Sequence, residues 1–124
     1  MIAIDSSSMI AYLSGAGGRD VSAVEQALED QHVVVPPVVL TELLSDPELS
    51  AKVAQLLLDL PRAEILDGYW ERAGALRAKV IRKKRRARLA DTLIAQSCLD
   101  HDLPLITRDR DFRAFALVSS LRLA

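Results

Sequence analysis

Residues 2–9 read Ile2-Ala3-Ile4-Asp5-Ser6-Ser7-Ser8-Met9, and the order of residue types in this stretch decides the architecture. Three apolar residues suit a short buried strand. Asp5 follows at its carboxyl end, and Asp5 to Ser8 supply capping groups for a helix through Leu13. A strand that passes directly into a helix opens a βα unit. Working outward, the same alternation recurs to the end of the chain, with no internal repeat and no low-complexity tract.

Gly15 to Gly18 break the first helix. The spacing of Val21, Val24, Ala27 and Leu28 predicts a helix from about Asp20 to Asp30, and Val33-Val34-Val35 predicts a second buried strand. Pro36 and Pro37 stop that strand and open a helix whose buried stripe is Val39, Leu40, Leu43 and Leu44. A helix is expected from about Pro47 to Leu60, then a third strand over Ala63-Glu64-Ile65-Leu66, closed by Asp67-Gly68. Tyr69 to Arg82 reads as a helix with Ala73, Leu76 and Val80 inward, and Asp91 to about Asp100 as a largely buried one. Leu103-Pro104-Leu105-Ile106 is the expected fourth strand, with its proline where a missing donor does least harm. A short helix around Phe112 to Phe115 follows, and Leu117-Val118 or Leu121 to Leu123 is expected as an edge strand. Strands alternating with helices imply one domain over residues 1–124, an α/β fold whose parallel sheet is covered on both faces.

In open sheets of this kind ligands bind outside the carboxyl ends of the strands. Asp5 directly follows the first strand and Asp109 lies three residues after the fourth. Glu42 falls in the early turns of the helix entered from the second strand. Asp91 begins a helix that the fold must bring to the same edge. Each acid also has a bland reading: Asp5 and Asp91 as N-caps, Glu42 as a surface residue, Asp109 as a turn residue. Against it stands their convergence, since the topology brings three of the four to one edge. Clustered carboxylates repel unless a cation neutralises them, and oxygen ligands without His or Cys suit Mg²⁺ or Mn²⁺ better than Zn²⁺. His32 and His101 stand at ends of elements where neither is placed as a ligand. Hydrolysis would then rely on metal-activated water, and phosphodiester cleavage is the reaction such sites commonly perform.

Bulk properties fit this picture. The 124 residues are 50% hydrophobic, enough for a core without disulfides, and the single Cys98 falls in an apolar helical pattern that makes it a buried thiol. No apolar run approaches a membrane span, and the opening residues lack a secretory pattern, so a cytoplasmic protein is expected. The net charge of −1 conceals a basic cluster, Arg82, Lys83, Lys84, Arg85, Arg86 and Arg88. Lying just before Asp91, it suits RNA phosphates, with Lys83, Lys84 and Arg85 as candidate backbone contacts; a solvated loop is the alternative. Trp70 and Tyr69 are read as core or dimer packing ahead of base stacking.

Four segments together resemble a known family: Ile4-Asp5-Ser6-Ser7, Val39-Leu40-Thr41-Glu42-Leu43, Leu89-Ala90-Asp91-Thr92-Leu93-Ile94-Ala95, and Leu105-Ile106-Thr107-Arg108-Asp109-Arg110-Asp111-Phe112. In this order and spacing they are similar to a PIN domain (PilT N-terminus), most closely the short VapC-type toxins. The resemblance implies a three-layer α/β/α sandwich with a central parallel sheet, an Mg²⁺- or Mn²⁺-dependent endoribonuclease, homodimerisation, and inhibition by a small cognate antitoxin. It implies Asp5, Glu42, Asp91 and Asp109 as the catalytic acids, with Asp5, Asp91 and Asp109 on the metal. Ser6 or Ser7 and Thr107 match hydroxyl positions that help order the site. Asp111, two residues beyond Asp109, is an alternative fourth acid. The competing functions are a catalytically silent module that binds RNA or protein on the same fold, and a phospho-acceptor signalling domain. The latter wants paired acids after its first strand, where this chain has only Asp5.

Overall fold

The computed structural model describes residues 1–124. Its sheet has three parallel strands in the order β2-β1-β3: β1 (Ile2–Ile4), β2 (Val33–Val34) and β3 (Leu105–Ile106). Strand β1 lies at the centre, with Ala3 and Ile4 wholly buried. Parallel neighbours need crossovers, and helices provide them. Between β1 and β2 lie α1 (Ser6–Leu13) and α2 (Arg19–Glu29). Between β2 and β3 lie α3 (Pro37–Leu44), α4 (Ala51–Leu58), α5 (Tyr69–Arg82) and α6 (Leu89–Asp100), and α7 (Phe112–Val118) follows β3. Helices α1 and α2 pack together, α5, α6 and α7 pack together, and α3 touches both α1 and α6. This is the expected α/β/α arrangement. A core of 24 buried residues runs through it from Ala3 to Leu121, with Phe112 and Phe115 as its largest members. No helix is long and apolar enough to cross a membrane.

Several sequence expectations need correction. The third strand over Ala63 to Leu66 does not form: only a single bridge joins Arg62 to Val35, and Glu64, Ile65 and Leu66 are exposed. An apolar pair flanked by charges cannot hold an edge strand without a face to bury. The Leu117-Val118 edge strand is the end of α7, and at Leu121 to Leu123 only Leu123 bridges to Leu105. Helix α4 starts at Ala51 and not Pro47, because Asp46 Oδ1 accepts from Glu48 N in a local turn and Ser50 Oγ accepts from Val53 N as the cap. Leu44, assigned to the buried stripe of α3, is exposed. Helix α6 begins two residues earlier than expected, at Leu89.

Two ties fix the α5–α6 pair. Arg72 grips Asp100 with both Nε and Nη2, at 2.9 and 2.6 Å, and Tyr69 Oη donates to the carbonyl of Leu93 at 2.7 Å. Helix α5 ends in a left-handed turn: Lys84 has φ +59°, its N–H donates to Ile81 O, and Arg85 N–H donates to Val80 O. This pair of bonds is the Schellman closure that glycine usually makes.

Candidate active site

Strand register assembles the first part of the site. Ile4 stands opposite Ile106, and Asp5 N–H donates to Ile106 O at 2.9 Å, so the residues after both strands leave the sheet side by side. Asp5 and Thr107 therefore meet, and Thr107 Oγ1 donates to Asp5 Oδ2 at 2.8 Å while accepting from Asp109 N at 3.0 Å. Ser7 Oγ donates to the same Asp5 oxygen at 2.6 Å. Asp5 is buried and sits at the N-cap position of α1, yet its side chain makes no cap bond. Its carboxylate is held by two hydroxyls instead, which departs from the capping role expected of it.

Glu42 lies in the second turn of α3, on the exposed side, and accepts a 2.6 Å hydrogen bond from Ser6 Oγ at the start of α1. The serine run after β1 thus divides its work, Ser6 orienting Glu42 and Ser7 orienting Asp5. Ser8 takes a third direction, donating to Asp20 Oδ2, which also accepts from Arg108 Nε, while Asp20 Oδ1 accepts from Arg108 Nη2. That clamp, with the Arg108 bond to Gly17 O, ties the Gly15–Gly18 turn to the segment after β3. Arg108 holds the Asp20 carboxyl down at about 2. The sequence reading missed this pair; the short Arg108 to Asp109 step beside a candidate acid was the available signal.

Asp91 is the third residue of α6 and not its cap. It is 8% exposed, and its Oδ2 is buried without any hydrogen-bond partner. Burial first, then the charges of Asp109, Asp5 and Glu42, push its carboxyl up to about 6, against a smaller opposing pull from Arg88. The other three expected acids thus all raise Asp91 through their charge. Ligand oxygens of Asp91, Asp109 and Asp111 lie within 4.8 Å of one another. Asp109 and Asp111 both bring an oxygen within this distance of Asp91. Asp109 Oδ1 accepts from Asp111 N at 2.9 Å, which fixes their relative positions at the start of α7. Asp5 is not part of that tightest trio. An orphaned, buried carboxylate oxygen among acids is costly unless a cation meets it. The donor set is all carboxylate, as hard divalent ions require, so these residues fit Mg²⁺ or Mn²⁺.

The remaining candidates are spread more widely. Lys83, Lys84 and Arg85 are exposed in the turn between α5 and α6 and pair with no acid. Arg86, in the same turn, places Nη1 3.8 Å from Asp111 Oδ2. His101 bonds the carbonyl of Glu64 through Nε2, and His32 is exposed on the far side of β2 from its carboxyl end. Cys98 is buried, and burial pushes its thiol up to about 12, which keeps it protonated and inert.

The sequence profile of the PIN domain matches residues 2–117. No curated protein matches the chain in sequence. The crystal structure of FitAcB from Neisseria gonorrhoeae is similar in fold, with a TM-score of 0.70 over 99% of this chain and 96% of that chain, at 19% sequence identity.

Proposed function

The chain belongs to the PIN domain family, and from that premise we propose that it is a Mg²⁺- or Mn²⁺-dependent endoribonuclease acting as the toxin of a type II toxin–antitoxin pair. PIN domains are generally nucleases. The observation that carries the reading is Asp91, a buried carboxylate with one unpartnered oxygen, close to Asp109 and Asp111 and pushed up to about 6 by burial and by the charges of Asp109, Asp5 and Glu42.

In this reading Asp91, Asp109 and Asp111 offer carboxylate oxygens to the cation, with Asp5 beside them. Bound there, a divalent ion supplies a Lewis acid for the scissile phosphate and a water of lowered pKa. The chain's own residues keep that centre in shape. Thr107 joins Asp5 to the backbone of Asp109, so the ends of β1 and β3 are not free to part. Ser6 aims Glu42 inward from the exposed face of α3, where its charge can orient a water or take its proton. Exposed Lys83, Lys84 and Arg85 offer cations to RNA phosphates away from the cut.

The antitoxin rests on the likeness to VapC-type toxins. A cavity of about 550 Å³ lined by Ile10, Leu13, Leu43, Leu49 and Val53 adjoins Glu42, Asp46 and Glu48, and suits an apolar segment carrying basic residues. A homodimer and a cytoplasmic location complete the proposal.

The test is cleavage of a structured RNA by metal-stripped protein. Activity is expected only when Mg²⁺ or Mn²⁺ is restored, and Asp5→Asn should reduce it at least a hundredfold while melting at or above the wild-type temperature. Full activity in EDTA, or a fully active Asp5→Asn variant, would sink the reading.

A further inference from the structure

Of the six basic residues between Arg82 and Arg88, only Arg86 reaches an acid of the cluster. Its position is not that of a loose loop residue. On one side, Arg85 N–H is pinned to Val80 O by the closing turn of α5. On the other, Ala87 is buried and its carbonyl accepts from Arg77 Nε at 2.8 Å, after which Arg88 caps α6. The backbone of Arg86 is therefore held at both ends, beside the first turn that carries Asp91. Its side chain, 63% exposed, places Nη1 3.8 Å from Oδ2 of Asp111, whose side chain is 32% exposed. Asp111 in turn brings an oxygen within 4.8 Å of oxygens of Asp109 and Asp91, and Asp91 carries an unpartnered Oδ2.

On the nuclease reading above, we propose that Arg86 is a phosphate-binding residue whose engagement is exchanged against the metal. Without a cation, Arg86 is the one basic side chain in ion-pair contact with the trio, at Asp111, while Arg88 acts on Asp91 from farther off. A divalent ion among Asp91, Asp109 and Asp111 takes over the charge of Asp111 and lowers its attraction for the guanidinium. Arg86 then turns to the next anion within reach, a phosphate oxygen of RNA lying over the trio. Its planar fork matches two phosphate oxygens, which a point charge does not. Lys83, Lys84 and Arg85 lack this coupling, since none of them touches a metal-facing acid.

Two opposite effects follow from one substitution, and a merely structural role would not produce them. In the absence of RNA, Arg86→Ala removes a competitor for Asp111 and should tighten Mn²⁺ binding about two- to fivefold, the range for an exposed ion pair. In cleavage the same variant should raise KM about tenfold, the loss of one charged hydrogen-bonding contact, with a smaller change in kcat. Arg86→Lys, which keeps the charge but loses the fork, should bind Mn²⁺ as the wild type does and recover only part of KM. The experiment is calorimetric titration of Mn²⁺ into the metal-stripped full chain, followed by steady-state kinetics on RNA. Unchanged or weaker Mn²⁺ binding by Arg86→Ala overturns the exchange, and unchanged KM overturns the phosphate role. A wild type that cleaves no RNA would end the nuclease reading instead. RNA affinity by fluorescence anisotropy in Mn²⁺ would then replace KM, and Arg86→Ala with unaltered affinity would overturn the proposal separately.

Discussion

Asp91 carries a carboxyl whose surroundings oppose its ionisation, and this has a measurable consequence for stability. In the folded protein it titrates near 6, against an ordinary 3.8. The folded state therefore holds a proton between those values that the unfolded chain has released. Stability of the metal-free protein should fall as pH rises from about 4 to about 6 and then level off, by about 3 kcal/mol at 1.36 kcal/mol per pH unit. Asp91→Asn should remove most of that decline and be the more stable protein at pH 7 in EDTA. Denaturant titrations at several pH values measure both, and a slope that survives the substitution would assign the decline to another group. Asp20 behaves oppositely: its carboxyl is depressed to about 2 by Arg108, so its contribution is present above about pH 4 and lost only as pH falls towards 2.

At the level of elements, the turn from α5 to α6 separates a backbone requirement from a charge requirement. Lys84 occupies a left-handed conformation at φ +59° where a Cβ is unfavourable. Lys84→Gly should stabilise the fold by about 1 kcal/mol, raising the melting temperature by about 3 to 5 °C; a neutral or destabilising result would mean the lysine side chain has a compensating contact. The charges of the same turn are tested with Lys83→Ala, Lys84→Gly and Arg85→Ala combined, which keeps the Schellman closure. If all three meet RNA phosphates, the slope of log affinity against log salt should flatten by roughly 2, about 0.7 per contact. An unaltered slope would return the three to a solvated surface.

For the molecule as a whole, metal and fold are linked through the acids that join β1, β3, α6 and α7. A cation that binds only the folded state at one hundred times its Kd adds about 2.7 kcal/mol. Mn²⁺ at that concentration should raise the melting temperature at pH 7 by about 10 °C, and less at pH 5, where Asp91 keeps its proton. A melting curve indifferent to Mn²⁺ at pH 7 would remove the cation from this centre.

How much of this could be read from residues alone depends on the range of the interaction involved. The run Ile2 to Ser8, the prolines after Val35 and the apolar spacing of Tyr69 to Arg82 determine local structure by steric and periodic rules that act within a few residues. They gave the strand β1, the bounds of α5 and the parallel order. Ala63 to Leu66 offers an apolar pair, Ile65-Leu66, but no neighbouring face to bury it, which only the packed chain decides. The candidate acids were visible because three of the four stood where the topology leads to one edge, while Asp91 began a helix that the fold had to bring there. Their mutual arrangement was not, because it depends on register: Ile4 opposite Ile106 sets Asp5 against Thr107, across 102 residues of chain. The same holds for Asp111 facing Asp91, for Arg108 on Asp20 and for Arg86 beside the trio. The sequence by itself determined which groups were available and which elements carried them. The tertiary structure decided which oxygen is left unpartnered, because whether a buried polar atom finds a donor depends on every element packed around it.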